Sequence, residues 1–234
     1  MHVFYTPFID EQDFILPLEE SRHCVNVLRL KKNDKIICVD GKGGYYEAEI
    51  IDPNPKKCQF RIISSKKEVE RKYHLHLAIA PTKNIERFEF FIEKATEIGI
   101  DEITPVSSLN SERKHIRLDR LERIAVAAMK QSIKCKFPRI NEMVSLEEFL
   151  KRDIKGQKFI AHCHQGIKLT LVSACRPGGN LTVLIGPEGD FDNTEVETAI
   201  KQGYREVTLG ENRYRTETAA ILAVHSIYLL HYVK

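Results

Sequence analysis

Leu181-Thr182-Val183-Leu184-Ile185 runs directly into Gly186-Pro187-Glu188-Gly189, and Val207-Thr208-Leu209 runs into Gly210 and then Arg215-Thr216-Glu217-Thr218-Ala219. Each apolar, β-branched run reads as a short strand buried on both faces. A glycine directly after such a strand lets backbone N–H groups turn toward a ligand with no Cβ in the way. Asp192 and Glu195 form a capping box, so a helix starts there and Gly186–Phe191 is a short loop stiffened by Pro187. After the second turn, Thr216 offers an N-cap to Ala219–Leu230, a stretch apolar on nearly every face and therefore buried in a core or an interface. Two strand–turn–helix units in tandem predict an open α/β sheet with its ligand site at the carboxyl ends of the strands. Neither turn contains Gly-Lys-Ser/Thr, which excludes a P-loop. No Gly-x-Gly-x-x-Gly follows a strand, which excludes the dinucleotide fingerprint.

Outward from these units the chain divides near residue 72. From residue 73 strands and helices alternate: strand His74–Ala80, helix Ile85–Ile98 ended by Gly99, strand Ile103–Val106, helix Leu118–Ser132, a short helix capped by Ser145 with Glu148, and strand Phe159–His162. Such alternation predicts a parallel sheet with helices on its faces. Residues 1–71 instead show short apolar runs, Val3–Tyr5, Ile36–Val39, Tyr45–Ile51 and Cys58–Ile63, separated by turn residues, with one helix over His23–Leu30. That spacing predicts a small β domain, read as a barrel. Gly41–Gly44 lies between two of the runs and reads as a hairpin turn. Lys66–Lys72 reads as a charged connector.

A 42% hydrophobic content is that of an ordinary globular protein. With no N-terminal apolar segment and no run long enough to span a bilayer, a cytoplasmic protein without membrane contact is expected. The six cysteines show no C-x-x-C spacing, so reduced thiols are expected. His162-Cys163-His164 has the look of a metal tract, but strand alternation would send Cys163 to the opposite face, and no metal is expected. Net charge is only +3, yet Arg113, Lys114, Arg117, Arg120, Arg123, Lys130, Lys134, Lys136 and Arg139 cluster with only Asp119 and Glu122 among them. The cluster reads as a footprint for phosphates, a reading compatible with its also being the solvated face of a helix whose apolar stripe is Leu118, Leu121, Ile124, Ala125 and Ala128.

Gly186-Pro-Glu-Gly189, Leu209-Gly210 and Arg215-Thr-Glu-Thr-Ala219 together resemble the C-terminal signature of the RsmE family, the 16S rRNA uridine-N3 methyltransferases of the SPOUT class. Similar elements lie upstream: His23, Val27–Leu30 and Asp34; Lys83, Glu86-Arg87 and Lys94 to Gly99; and Gln131-Ser132. The chain departs from the pattern at Asn212, where the family often carries Arg, and at Asp190, where it carries a second glycine. The resemblance implies an α/β C-terminal domain, residues 72–234, with a deep trefoil knot, and a PUA-like RNA-binding barrel, residues 1–71. It also implies a homodimer, S-adenosylmethionine as methyl donor, and 16S rRNA of the assembled small ribosomal subunit as substrate.

Methylation of uracil N3 needs in-line placement of methyl and nucleophile, a path for the imino proton, and cations or N–H donors for charge spreading onto O2 and O4. Arg215, beside the turn and able to fork two N–H groups toward one carbonyl, is the first candidate for the electrostatic role. Glu188 is a weaker candidate, for base or orienter, against its plainer role as a partner of backbone amides in its own loop. Glu217 suits the helix N-terminus. The adenosyl group is expected against Leu184, Ile185, Gly186, Glu188 and Gly189 on one loop and Leu209, Gly210, Tyr214 and Thr216 on the other. RNA is expected on Arg22, Arg29, Lys31, Arg113, Lys114 and Arg117. A non-catalytic RNA-binding factor and a small-molecule nucleotide enzyme on the same fold remain open at this point. S-adenosylmethionine binding separates the first, and methylation of subunits but not free nucleosides the second.

Overall fold

The computed structural model describes residues 1–9, 14–166 and 168–232. The chain divides into two compact units, one of residues 1–70 with Val126–Phe137, the other of Arg71–Ala125 with the chain from Pro138 onward. In the first unit, strands β1 (His2–Tyr5), β2 (Lys35–Val39), β3 (Gly44–Asp52) and β4 (Gln59–Lys67) form one sheet in that order. β1 lies parallel to β2, and the other neighbours are antiparallel. No β1–β4 pairing closes the sheet among the described residues. Its apolar face is covered instead by the helical segment and the residues just before it, with Leu16 and Cys24 packed among Phe4, Ile36, Ile50 and Phe60. That segment is a short helix α1 (Leu18–Arg22) continued by one π-turn, His23–Val27, so it starts earlier and ends sooner than the sequence reading of His23–Leu30. Arg29 at φ +55° forbids a further helical turn. The hairpin at Gly41–Gly44 forms as expected, its turn tied by the Asp40 carboxylate accepting from Lys42 and Gly44 N–H at 2.7 and 2.8 Å. Met129 buries against Ile37 and Val39, which brings Val126–Phe137 into this unit.

The second unit carries β5 (Tyr73–Ile79), α2 (Ile85–Ile98) and β6 (Glu102–Ser107); α3 (Leu118–Gln131) begins in it and ends in the first. Then come β7 (Arg139–Ile140), β8 (Val144–Ser145), α4 (Leu146–Leu150), β9 (Gln157–Ala161), β10 (Leu169–Thr170) and α5 (Leu171–Ala174). The chain closes with β11 (Gly179–Ile185), α6 (Asn193–Lys201), β12 (Arg205–Thr208) and α7 (Thr216–Tyr232). All pairings in this sheet are parallel, in the order β10-β12-β9-β11-β5-β6-β7, with β8 beside β6. One side of the sheet buries Ala78, Val106, Ile160 and Leu184 under Phe149 and Leu150 of α4 and Val196 and Ala199 of α6. Phe88, Phe91, Ile92 and Ala95 fall on the single buried stripe of α2, as their spacing predicts.

The Asp192–Glu195 capping box forms with both hydrogen bonds, Thr194 N–H to Asp192 and Asp192 N–H to Glu195, each 2.9 Å. Asp192→Ala leaves the Thr194 N–H at the start of α6 without its side-chain acceptor and is expected to cost about 1 kcal/mol of folding stability in urea unfolding. No helix of the described residues is long and apolar enough to cross a membrane.

Candidate active site

The parallel register sets three strand ends in a row: Ile185 of β11 is level with Ala161 of β9, which is level with Val207 of β12. The loops leaving these ends enclose a cavity of about 320 Å³. That size lies in the range of small-molecule sites.

The first loop is held by its own chain. A Cβ on Gly186 would come within 3.1 Å of the Phe191 ring and 3.3 Å of Phe191 N, so glycine here admits a buried phenylalanine under the turn rather than a ligand. Asp190, at the family's second-glycine position, has φ +63°. Its carboxylate makes that conformation tolerable by accepting from Phe191 N–H at 2.9 Å, and it binds Cys163 N–H of the β9 loop at 2.7 Å. Glu188 lines the cavity and does bind a backbone amide, though not in its own loop: its Oε1 accepts from Lys83 N–H at 3.0 Å.

The second loop turns at Gly210, whose φ of +143° L side chains rarely adopt. The Thr208 hydroxyl brackets this glycine, accepting from its N–H at 3.2 Å and donating to its C=O at 2.7 Å. Thr216 is the first residue of α7 rather than its cap. The Arg215 carbonyl accepts from Ala219 N–H at 2.8 Å, so Arg215 itself stands at the cap position. Its side chain lines the cavity and is exposed, and among the described residues its guanidinium has no hydrogen-bond or ion-pair partner. Glu217 is turned away from the cavity, 4.0 Å from Arg87 of α2, with Oε2 buried and unpaired.

The third wall is Ala161, His162 and Cys163, which the sequence reading left out of the site. His162 is almost wholly buried, and its ring is fixed from both sides. Nε2 lies 3.0 Å from the Glu206 carboxylate and Nδ1 lies 3.2 Å from the Lys168 ammonium. A carboxylate only accepts and an ammonium only donates, so the ring is the neutral tautomer with its proton on Nε2. Burial, followed by the charges of Lys168 and His164, pushes its pKa below the usual imidazole value. Protonation therefore favours the unfolded chain, and this wall loses stability as pH falls below the ordinary imidazole range. β9 ends at Ala161, so strand alternation does not govern the histidines, whose rings pack edge to face at 4.8 Å. Among the described residues no cluster of three or more His, Cys, Asp or Glu is arranged to hold a metal ion.

Of the residues expected against the adenosyl group, Ile185, Gly186, Glu188, Leu209, Gly210, Tyr214 and Thr216 line the cavity. Leu184 and Gly189 do not. Strand alternation points Leu184 into the core with Phe149 and Ile160, and Gly189 lies against Asn110. Among the residues expected on RNA, Arg22, Arg29 and Lys31 are exposed in the first unit. The central basic cluster is more neutralised than its sequence shows, because folding brings acids to it from elsewhere. Arg120 pairs with Glu89 of α2 at 2.6 Å and Lys130 with Glu20 at 2.6 Å, while Arg117 and Arg123 share Asp119. Arg113 is tied to backbone, and Lys114 makes only a long 3.4 Å contact with Ser108 O.

The cavity combines apolar walls with polar groups and charges of both signs, with Arg213 and Arg215 as well as acids in its lining. The ends of β11 and β12 supply apolar walls in Ile185, Val207 and Leu209, the loops supply main-chain polar groups, and Glu188 and Asp190 supply negative charge. Comparison with known proteins bears directly on this site. Residues 69–228 match the family model of an RNA methyltransferase domain, and residues 16–63 that of an RNA methyltransferase PUA domain. The ribosomal RNA small subunit methyltransferase E of Mesomycoplasma hyopneumoniae is 32% identical, over 94% of this chain and 96% of that protein. A crystal structure of a probable rRNA-methyltransferase from Porphyromonas gingivalis superposes with TM-score 0.91 at 36% identity, covering 99% of each chain. The Neisseria gonorrhoeae ribosomal RNA small subunit methyltransferase E bound to S-adenosyl methionine superposes with TM-score 0.85 at 28% identity, covering 98% of each chain. With both segments matched and the likeness extending over nearly the whole chain, this protein belongs to the ribosomal RNA small subunit methyltransferase E family.

Proposed function

We propose that this chain methylates N3 of a uridine in 16S rRNA of the assembled small subunit, in the cytoplasm, with S-adenosylmethionine as donor. The observation that carries the proposal is the cavity at the level ends of β9, β11 and β12, with an arginine at the cap of α7 that has no partner among the described residues. The bound cofactor supplies an electrophilic methyl group on a sulfonium. Ile185, Gly186, Leu209, Gly210, Tyr214 and Thr216, which line the cavity, would hold its adenosyl part. Arg215 directs guanidinium N–H groups toward the uracil carbonyl on which charge develops as N3 loses its proton. Glu188, with Oε1 occupied by Lys83 N–H, receives the N3–H hydrogen bond on its other oxygen and hands the proton to water.

Residues 1–71 are assigned as the PUA-like RNA-binding domain, with Arg22, Arg29 and Lys31 on phosphates, and 72–234 as the methyltransferase domain. A trefoil knot is supported by the strand order, since β12 lies beside β9 and β9 lies between β12 and β11. A homodimer is supported by α7, which buries one face and still exposes Leu229 and Tyr232 beside the stacked rings of Tyr228 and His225.

Purified small subunits from a strain lacking this protein are the test substrate: added protein and cofactor should yield 3-methyluridine by nucleoside mass spectrometry. No product on subunits, or product on free uridine, overturns the assignment. For RNA contact, Lys114→Ala with Arg117→Ala should weaken subunit binding and reduce the slope of log K against log salt by about 1.4, for two phosphates on a single strand. Cofactor affinity should stay unchanged; an unaltered slope would show a merely solvated face.

A further inference from the structure

Between β6 and α3 the chain has no regular structure, yet residues 108–113 make contacts on both sides of the cavity's first loop. Leu109 N–H donates to Glu195 of α6 at 2.8 Å, and the Asn110 side-chain amide donates to the carbonyls of Gly189 and Asp190 at 3.3 and 3.1 Å. Ser108 and Ser111, both buried and hydroxyl to hydroxyl at 3.0 Å, fix the turn of this strap. Arg113 then reaches the loop after β5, donating from Nε to Thr82 O at 3.0 Å and from a terminal nitrogen to Lys83 O at 2.7 Å. The next group along is the Lys83 N–H, which donates to Glu188 at 3.0 Å.

A planar guanidinium that grips two successive carbonyls fixes the orientation of the peptide units between them. The Lys83 N–H lies within that gripped segment, so its direction, and with it the position of the Glu188 carboxylate, depends on Arg113. The Lys83–Glu112 ion pair cannot substitute, because both side chains are largely exposed. Two of the five guanidinium N–H donors are spent on backbone carbonyls, which anchors Arg113 in the protein rather than leaving it free for the phosphate contact that its basic neighbours suggest.

We propose that Arg113 is a positioning residue, which through the Lys83 peptide holds Glu188 at the cavity rim and thereby sets the geometry for methyl transfer. This rests on the assignment of Glu188 above. The test is a double-mutant cycle in the full-length protein with Arg113→Ala, Glu188→Gln and both together. Its readouts are S-adenosylmethionine affinity by calorimetry, single-turnover methylation at saturating small subunits, and the salt dependence of subunit binding.

Arg113→Ala should slow single turnover about 10-fold to 10²-fold, the cost of a small misplacement in a positioned site. The double variant should be no slower than Glu188→Gln alone, and cofactor affinity should show the same lack of additivity. The salt slope should not change. Arg113→Lys, with one donor group and no fork, should recover only part of the rate. Arg113→Gln replaces the alanine variant, with the same expectations, if that variant does not fold. Rates that multiply in the double variant overturn the strap while leaving Glu188 assigned. Full activity of Glu188→Gln overturns both. A flattened salt slope with unchanged rate at saturation makes Arg113 a phosphate contact and overturns the proposal.

Discussion

Arg215→Ala is expected to slow methylation about 10²–10³-fold at saturating RNA and cofactor, the usual cost of removing one electrostatic donor at a site of developing charge. The side chain stands at the cap of α7, where the helix N-terminus already favours negative charge, and no described carboxylate neutralises it. Its charge is therefore available to whatever enters the cavity. Because uracil gains charge on its carbonyls only as the proton leaves N3, the interaction strengthens toward the transition state. RNA and cofactor affinities should then fall only slightly. Arg215→Lys should rescue part of the loss, since an ammonium restores the charge without the fork. Single-turnover rates on small subunits, beside separate binding curves for RNA and cofactor, decide the matter. Weakened RNA binding with an undiminished rate at saturation would make Arg215 a phosphate clamp.

The parallel sheet was legible because its strands are short apolar runs punctuated by glycine and separated by helical periods. The reading of Ile85–Ile98 coincides with α2, and the Asp192–Glu195 box coincides with the start of α6. These features are local. The order β12-β9-β11 is not, since it depends on which strands meet across long loops, and no period in the sequence encodes that. β4 runs on through Ser64–Lys67, where polar and charged residues hide a strand end from a reading based on apolar alternation. The two-residue strands β7, β8 and β10 exist only through their neighbours.

The cavity was legible from two of its three walls. Glycine marked the turns after β11 and β12, although at Gly186 the space it leaves is taken by Phe191. No glycine follows Ala161 directly, so the wall formed by His162 and Cys163 had no such mark. The usable signal was register: once β9 is known to pair with both β11 and β12, its end must share their edge. Charge was the least legible property, since the acids that neutralise Arg120 and Lys130 come from distant segments.

Gly210→Val is expected to cost most of the cofactor affinity while sparing the fold. In the sequence, glycine at this turn keeps a Cβ out of the way of ligand-facing N–H groups; the structure adds two further causes. At φ +143° a β-branched residue is strained, and any Cβ would lie 3.2 Å from the Tyr214 hydroxyl. Relief requires rotating the peptide that Thr208 brackets, moving Leu209 and Tyr214 together, and both line the cavity. Backbone strain of this kind is worth about 1–3 kcal/mol. Charged to the bound state, in which the loop must be in place, that is about 5-fold to 150-fold in affinity. The loop can relax into solvent when the cavity is free, so the urea midpoint should move little. Calorimetric titration of S-adenosylmethionine into Gly210→Ala and Gly210→Val checks this, with alanine showing the smaller loss. Unchanged affinity in the valine variant, with the protein folded, would mean that the loop after β12 does not hold the adenosyl group.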